Sequence, residues 1–328
     1  MTIELRNIVD PSSNEYTTMD YNTLSFDIAL NRAGRLTATF PSSTSLIGQS
    51  NLLRVWPLGY EYISSPVDYN ISNIPSFDPS ITAYDYIYFL SQLTVTLPQN
   101  IKEYGPFGII QYALSNADFT SYRFLNPNIS VQYHRIDTDG KVVIDIEPGE
   151  YTIKNIIDTV LSQMAQAGIF MGYTMGLRNN NPVIRFIQFT TPSSSDAVLS
   201  VSPYNTLDWK VNKKEGRATI VTINDTDIKL YNRGMVNTFG YRTIHLDKIS
   251  DDYEDNLEYA KRMLEYYSAN HYEITFTLDG IVALQIGDVV RVTKENLDIV
   301  GEYYVVGLKY HIDTKGEYTT ITLGFPEY

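Results

Sequence analysis

The sequence contains no cysteine and only four histidines, at positions 134, 245, 271 and 311. Without cysteine there are no disulfides, thiolate zinc sites, iron–sulfur clusters or cysteine nucleophiles. No histidine stands in a metal-ligand spacing such as H-E-x-x-H, and the sequence has no Gly-x-Ser-x-Gly elbow, P-loop or G-x-G-x-x-G fingerprint. The sequence therefore predicts no catalytic residue, no cofactor-binding residue and no metal site.

Basic residues are also scarce. The chain has 25 lysines and arginines against 38 aspartates and glutamates, a net charge of −13 at pH 7. Affinity for DNA or RNA comes largely from basic side chains that neutralise phosphates. The chain is therefore not expected to bind nucleic acid specifically.

Long apolar runs are few. The stretch 159–177 carries no charge and approaches the roughly 20 residues that a membrane-spanning helix needs. Polar residues and glycines such as Gln163 and Gly168 interrupt it, which predicts a buried helix and a turn without stable membrane insertion. Near the start, Glu4 and Arg6 fall where a signal peptide requires an apolar core, so no secretion signal is predicted.

Strand-like alternation of apolar and polar residues dominates the 328-residue chain, whose length suits two domains or one large all-β unit with insertions. Near the C-terminus Tyr272, Ile274 and Phe276 alternate with polar residues, which predicts a strand with one buried face. Short strands with turn signals between them are typical of a small barrel or sandwich. The predicted strands of this region are 271–277, 289–293, 302–312 and 318–323.

A second all-β unit is predicted at the front of the chain. The segments 24–30 and 36–40 alternate cleanly and are joined by turn residues, which indicates a hairpin. A third strand, 52–56, follows a serine-rich loop at 42–50.

Helices are few. One is predicted near 251–268, where Asp251 and Glu254 have the spacing of a capping box and acidic residues crowd the first turn. Its apolar stripe comprises Tyr253, Leu257, Ala260, Leu264 and Tyr267.

A second helix is predicted from Ile153, with Thr152 as its N-cap. Shorter helices are predicted at 82–92 and 106–114. The middle of the chain also contains a hairpin-like pattern, with strands 130–136 and 141–146 around the turn 137–140. This turn, Asp137-Thr138-Asp139-Gly140, has the first ligand positions of a calcium loop but lacks its downstream glutamate, so a hairpin turn is the favoured interpretation.

Paired carboxylates are the remaining route to catalysis, since a glycosidase needs two of them about 5–10 Å apart. Asp145 and Glu147 share one strand face by their spacing of two. In an acidic protein a solvated face explains such a pair better than an active site does.

The 27 tyrosines are the most unusual feature of the composition. A tyrosine ring gives a large rigid contact area with a polar tip, which suits subunit interfaces and sugar-binding platforms. An interface is the favoured function for the tyrosine runs at 84–89 and 303–304, and a carbohydrate platform is the alternative.

The order of the C-terminal strands carries a resemblance to a known family. The segment Gly287-Asp288-Val289-Val290, then Gly301-Glu302-Tyr303-Tyr304-Val305, then the threonine-rich strand 318–323, follows the helix near 251–268. This order resembles the closing barrel of the tail hub proteins of phages and phage-like contractile particles, the late control protein D and VgrG-type hub family. The front segments 34–40 and 52–56 similarly resemble the first barrel of that family.

The resemblance implies a homotrimer in which two barrels per chain form a pseudo-sixfold ring. Such a ring adapts a sixfold tail tube to a threefold spike and leaves an axial channel for DNA ejection, and an acidic lining would repel the passing DNA. The implied partners are the tail tube protein, a spike or tail-tip protein and the tape measure protein. The implied location is the virion, in the tail baseplate, after synthesis in the host cytoplasm.

The sequence thus predicts a mainly β protein with an α+β insertion and two small β-barrels of the tail-tube or hub type. The predicted domains are an N-terminal barrel at 1–83, the insertion at 84–200 and a C-terminal barrel at 201–328. The predicted interface residues are Val290, Tyr303 and Tyr304. The predicted role is structural, not enzymatic. The alternatives are a cell-wall glycan hydrolase of the tail tip that uses Asp145 and Glu147, or a carbohydrate-binding module.

Overall fold

A computed structural model of the chain describes residues 2–7, 17–41, 51–56, 58, 60–64, 69–70, 79–120, 129–134, 142–178, 181–213, 218–269, 272–293 and 299–325. These residues are mainly in β-strands, as the alternating pattern predicts. The serine-rich loop at 42–50, the turn 137–140 and His271 lie outside the described residues.

The described residues at the front of the chain form strands and no helix. The predicted hairpin forms from β3 and β4, in which Phe26 lies opposite Leu36. The strands are β1 (Thr2–Asn7), β2 (Thr17–Met19), β3 (Thr23–Ala29), β4 (Arg35–Thr39), β5 (Asn51–Trp56), β6 (Tyr60–Ser64), β7 (Tyr69–Asn70) and β8 (Ser80–Tyr84).

The middle of the chain mixes helices with short strands. Thr152 caps the longest of these helices, since its hydroxyl accepts a hydrogen bond from the Asn155 N–H at 3.2 Å, as predicted. The elements are α1 (Tyr86–Leu90), β9 (Thr94–Leu97), a 3-10 helix (Ile101–Tyr104), α2 (Gly105–Ser115), β10 (Ser130–His134), β11 (Gly149–Thr152), α3 (Ile153–Gln166), β12 (Met171–Arg178) and β13 (Asn181–Gln188).

The last third of the chain returns to strands, and the four predicted C-terminal strands are confirmed as β19 to β22. The elements are a 3-10 helix (Ser194–Asp196), β14 (Ala197–Val201), a 3-10 helix (Pro203–Asn205), β15 (Asp208–Lys213), β16 (Ile220–Ile223), β17 (Lys229–Tyr231), α4 (Arg233–Phe239), β18 (Thr243–Leu246), α5 (Tyr253–Ala269), β19 (Tyr272–Asp279), β20 (Val289–Val292), β21 (Gly301–Asp313) and β22 (Gly316–Gly324).

One 14-stranded sheet contains strands from both ends of the chain. Its main path runs β15-β19-β22-β21-β3-β4-β8-β6-β5-β1-β2, and β21 pairs with β3 so that the C-terminal strands continue directly into the N-terminal hairpin. Within the described residues this path does not return on itself. The β-rich character is therefore established, whereas closure into two barrels stays a prediction.

The part of the chain that the structure describes also contains three smaller sheets: β10-β13-β12, β11-β9 and β17-β16-β18. In the first of these β10 pairs in parallel with β13, more than 50 residues away. The predicted hairpin between 130–136 and 141–146 is therefore wrong, and the described residues 142–147 form no strand.

The helix predicted near 251–268 is confirmed as α5, with two differences in detail. Its first N–H groups are capped by Asp252, whose Oδ1 accepts hydrogen bonds from Glu254 and Asp255, while Asp251 pairs with Lys248. Its buried face is also rotated by one position from the predicted stripe. The buried side chains are Asn256, Tyr259, Ala260, Met263 and Tyr266.

Two groups of buried side chains form the interior. One joins the two ends of the chain and includes Leu24, Phe26, Phe276 and Tyr310. In the other, every buried member except Ile63 lies within 86–186. This second group falls inside the predicted insertion at 84–200, whose boundaries remain a prediction.

The uncharged stretch 159–177 forms the end of α3, a turn and most of β12. Ile169, Phe170 and Met171 in it are buried, as the predicted helix and turn require. Among the described residues, no helix combines the length and the apolarity that crossing a membrane would take.

Candidate functional site

The solvent-facing side of the large sheet is a broad surface of small hydroxylated side chains, which we call the polar face. It spans β19, β22, β21, β3, β4 and β8, whose opposite side carries the core residues. Strand register places its residues in cross-strand rows, and all of them are at least partly exposed. They are Thr23, Ser25, Asp27, Arg35, Thr37, Thr39, Ser80, Thr82, Thr275, Thr277, Lys309, His311, Thr320 and Thr322.

Hydroxyl groups on the polar face pair with one another across strands. The Oγ1 atoms of Thr23 and Thr39 are 2.6 Å apart, and those of Thr277 and Thr320 are 3.0 Å apart. Such cross-strand pairs stabilise the sheet. They also satisfy hydroxyl donors and acceptors that the surface would otherwise offer to other molecules. The result is a polar surface on which hydroxyl pairs lie beside longer side chains such as Arg35, Lys309 and His311.

Three cationic side chains lie around Asp27 on the polar face, those of Arg32, Arg35 and Lys309. Lys309 lies opposite Asp27 in the β21–β3 ladder. Asp27 also accepts hydrogen bonds from the Arg32 guanidinium at 3.3 Å and from the Arg35 N–H at 2.9 Å. Asp27 offsets one of the three positive charges that Arg32, Arg35 and Lys309 bring to this part of the polar face, so positive charge is locally in excess there.

The three predicted interface residues lie on adjacent strands, but only one of them is exposed. Val290 pairs with Tyr303 in the β20–β21 ladder. Val290 and Tyr304 are buried in the core of this chain, whereas Tyr303 is partly exposed, and burial raises its pKa to about 12. Their part in an interface stays a prediction, and Tyr303 is the one whose side chain reaches the surface.

A buried carboxylate lies at the junction of the N-terminal sheet and α1. Asp85 caps α1 through the Ile87 N–H at 2.9 Å and accepts a second hydrogen bond from the Gly34 N–H at 2.8 Å. Burial raises the pKa of Asp85 to about 7, although these hydrogen bonds and one from Tyr88 oppose the shift and nearby Asp27 adds to it. Gly34 is required here, because a Cβ atom at that position would lie 2.4 Å from the Asp27 carbonyl oxygen.

The carboxylate pair of the hydrolase alternative is a solvated ion cluster. Asp145 and Glu147 both contact the Lys102 Nζ, at 2.6 and 3.0 Å, and their side chains are 81% and 74% exposed. The two hydrogen bonds raise the pKa of Lys102. A shared lysine on an open surface lacks the water-excluded environment in which a general acid obtains a raised pKa.

The histidines are not brought together with carboxylates in a catalytic arrangement in the described part of the chain. His245 Nδ1 is 2.7 Å from the Thr222 hydroxyl, and His311 pairs with Asp313 at the end of β21. Across the described ranges, no group of three or more histidines and carboxylates is placed to hold a metal ion.

The tyrosines divide into core and surface groups. Tyr62, Tyr173, Tyr304 and Tyr310 are among the largest fully buried side chains. Among the described residues, the exposed group comprises Tyr88, Tyr104, Tyr133, Tyr204, Tyr231, Tyr241 and Tyr253. In the predicted run 84–89, Tyr86 and Phe89 are buried, so most of that run contributes to the core.

Sequence analysis missed the polar face and Asp85. The period-two threonines at 275, 277, 320 and 322 signal an exposed strand face, but only the pairing of β21 with β3 shows that this face continues onto the N-terminal hairpin. The helix predicted at 82–92 is too long at its start, because 80–84 form β8 and Asp85 is the N-cap of α1. The second hydrogen bond of Asp85 comes from the distant Gly34, which no local pattern indicates.

No family model matches the sequence, and no curated protein matches it significantly. Solved structures do match its fold. The tail protein from Neisseria meningitidis MC58 aligns with a TM-score of 0.65 and 16% identity over 98% of this chain and 96% of its own. The 43 kDa tail protein of prophage MuSo2 from Shewanella oneidensis aligns with a TM-score of 0.62 and 14% identity over 99% and 98%.

A third neighbour comes from a secretion system. It is an E. coli component of the type VI secretion system, described as structurally similar to the T4 tail proteins gp27 and gp5. It aligns with a TM-score of 0.50 and 9% identity over 94% of this chain and 74% of its own. At these identities the comparisons establish a shared fold: almost the whole chain folds like known phage tail proteins.

Proposed function

We propose that this chain is a structural component of a phage tail or phage-like particle, the hub of the baseplate. The observation that supports the proposal most strongly is the near full-length likeness to two tail proteins. The alignments cover at least 96% of each of these two proteins. A fold by itself does not determine a function. Here the fold agrees with the resemblance to the hub family that the order of the C-terminal strands shows in the sequence.

In this proposal three copies form a ring, and the polar face lines its axial channel. A channel for DNA needs a surface that neither binds phosphates nor offers apolar patches to bases. The threonine pairs supply a polar surface without apolar patches, and Asp27 offsets one of the three cations beside it. The net charge of −13 adds a repulsive field that keeps DNA from adhering.

Two barrels per chain would give the ring its pseudo-sixfold symmetry, so that it fits a sixfold tube on one side and a threefold spike on the other. The proposed partners are the tube protein, a spike or tail-tip protein and the tape measure protein. The proposed location is the baseplate of the virion or of a tail-like, contractile particle.

The proposed role is not enzymatic. The solvated Asp145, Glu147 and Lys102 cluster does not favour the cell-wall hydrolase. Tyr231 and Tyr241 share one depression with an arginine, a composition that also suits a protein contact, so these tyrosines do not by themselves favour a carbohydrate-binding module.

The experiment that tests this proposal is deletion of the gene from the genome that encodes the particle, followed by electron microscopy. We expect particles without an assembled baseplate, and recovery when the wild-type gene is supplied in trans. A labelled copy of the chain should appear only at the end of the tube that carries the spike. Normal baseplates in the deletion strain would contradict the proposal.

A further inference from the structure

A shallow depression of about 370 Å³ lies beside β17 and α4 and is surrounded by two exposed tyrosines and an arginine. We call it the tyrosine–arginine patch, formed by Tyr231, Arg233, Val236, Asn237 and Tyr241. Tyr241 is 80% exposed and Tyr231 is 46% exposed. Lys229 lies next to the patch, with its Nζ 5.3 Å from the centroid of the Tyr231 ring.

The composition of this patch is that of a protein contact surface. Tyrosine and arginine are enriched among the residues that contribute most to binding, because each combines a large apolar area with a polar group. Asparagine and a small apolar side chain between two rings add adaptable hydrogen bonds and shape. Covering a surface of this kind with a partner is favourable in free energy.

The patch lies on the outward side of the small sheet β17-β16-β18. Alternation along β17 turns Leu230 towards the core, in line with its cross-strand neighbour Val221, and turns Tyr231 to the other side. Helix α5 packs against β16 and β17. Helix α5 and the patch therefore occupy different sides of this sheet.

Charge identifies the kind of partner. The stretch 228–246 contains Lys229, Arg233 and Arg242 and no acidic residue. The rest of the chain then carries 38 acidic residues against 25 − 3 = 22 basic ones. A second copy of this chain offers mostly acidic surface to the patch, and such complementarity sets the orientation of two partners.

A receiving surface is present between α3 and α5. There a groove of about 1180 Å³ is lined by four carboxylates, those of Asp145, Asp158, Asp255 and Glu258, and by one guanidinium, that of Arg262. Val143 and Ile249 also line it and are exposed, which offers apolar area to a tyrosine ring. Lys102, Lys154 and Lys261 contact three of these carboxylates, and with Arg262 they balance the four negative charges. Exposed ion pairs of this kind contribute little and exchange readily, so a cation of the partner can replace a lysine on its carboxylate.

We propose that the tyrosine–arginine patch of one copy binds in the groove between α3 and α5 of a second copy. Because α5 walls the groove and the patch lies on the side of the sheet away from α5, one chain does not close the patch onto its own groove. The contact is head-to-tail, and a head-to-tail contact repeats into a ring when its rotation closes. The inference rests on the threefold ring of the proposed function and names the surfaces that hold it together.

The test uses the full chain and three charge variants. Arg233→Glu reverses the patch, Glu258→Arg reverses the groove, and a combined variant carries both changes. Tyr204→Ala, which removes an exposed tyrosine outside the patch, is the matched control. Solution mass is measured by analytical ultracentrifugation over a concentration series in low and high salt, after circular dichroism and thermal melting have shown that each variant is folded.

We expect the wild type and Tyr204→Ala to form a trimer of the 37.4 kDa chain that weakens in high salt. Each single reversal should raise the concentration needed for assembly by about tenfold or more, and the combined variant should recover most of that loss. Single variants that assemble like the wild type would overturn the proposal, and so would a combined variant without recovery.

The outcomes separate this inference from the proposed function. A wild-type chain that stays monomeric at its highest soluble concentration overturns self-association through this patch. The tail role is then still decided by the deletion strain and by the position of the labelled chain. Conversely, the chain could form a trimer through the patch and yet be absent from the tail. That result would contradict the proposed hub function and support the proposed contact.

Discussion

Phe26 and Tyr310 lie directly opposite each other on β3 and β21, and their rings stack with centroids 4.7 Å apart. Both side chains are buried. This stacked pair joins a strand near the start of the chain to one near its end, in the ladder that makes the two β regions one sheet. The fold of each β region therefore depends on the other.

We expect Tyr310→Ala to reduce the free energy of unfolding by about 3–5 kcal/mol, as large-to-small changes of buried aromatic residues do. Tyr310→Phe is the matched control. It keeps the ring stack and loses only the hydrogen bond from the hydroxyl to the Val282 carbonyl at 3.1 Å, which costs about 1 kcal/mol. Urea unfolding followed by circular dichroism measures both, and equal losses in the two variants would show that the stack is unimportant.

Substitutions of the predicted interface residues should separate folding from assembly. Val290→Asp and Tyr304→Asp place an unpaired charge in the core, so we expect both variants to be insoluble or unfolded as single chains. Tyr303→Asp changes a partly exposed side chain and should leave the chain folded. If Tyr303 contributes to an interface, this last variant is folded but fails to enter particles; folded Tyr303→Asp chains in normal particles would rule that role out.

Local sequence patterns predicted the hairpin strands β3 and β4, the C-terminal strands β19 to β22 and the longer helices α3 and α5. The alternation in 271–277 and 318–323 became β19 and β22, and the apolar residues that follow Thr152 became the buried side of α3. These elements are predictable because their burial follows a short period in the chain.

Pairing between distant segments was not predictable from such patterns. The strand β10 looks like the first half of a hairpin, but its partner is β13, because the hydrogen bonds of a strand do not depend on sequence distance. The apolar residues of α5 are compatible with burial of either of two adjacent helix faces. In the structure the buried face is the one that contains Met263. The polar face likewise needed the β21–β3 pairing before its extent was visible.

Lysine on the polar face should interfere with DNA passage if that face lines the channel. We expect Thr320→Lys to change the free energy of unfolding by less than about 1 kcal/mol, since the site is partly exposed. In a ring it adds one cation per copy, and cations bind phosphates. Particle counts should stay normal while DNA release in vitro slows, with Thr320→Ser as control; unchanged release would argue against a channel-lining position.

Removal of the exposed carboxylate pair should have almost no effect. We expect Asp145→Asn combined with Glu147→Gln to change the free energy of unfolding by less than about 0.5 kcal/mol, because the contacts to Lys102 are exposed to solvent. Digestion of purified cell walls by the protein should be the same before and after the change. Wall digestion that disappears in the double variant would favour the hydrolase.

The buried carboxyl of Asp85 should make stability depend on pH. Its pKa is about 7 in the folded chain against 3.8 for the ordinary side chain, so the folded state holds a proton that the unfolded state releases. The stabilisation is complete below about pH 4 and is lost as pH rises through about 7. Each pH unit in this window lowers the free energy of unfolding by up to about 1.4 kcal/mol. The wild type should therefore lose about 2 kcal/mol of unfolding free energy between pH 5 and 7.

Asp85→Asn is the matched variant for this pH dependence. Asparagine can still cap α1 but cannot ionise, so the variant starts from a lower stability, with one acceptor fewer for the Gly34 and Ile87 N–H groups, and follows a flatter profile. Melting temperatures measured from pH 5 to 7.5 avoid the acid range in which Asp251, Glu258 and Asp313, whose pKa values are lowered, become protonated. Parallel profiles for the two proteins would mean that the carboxyl of Asp85 is already ionised at pH 5 and that the hydrogen bonds it accepts outweigh burial.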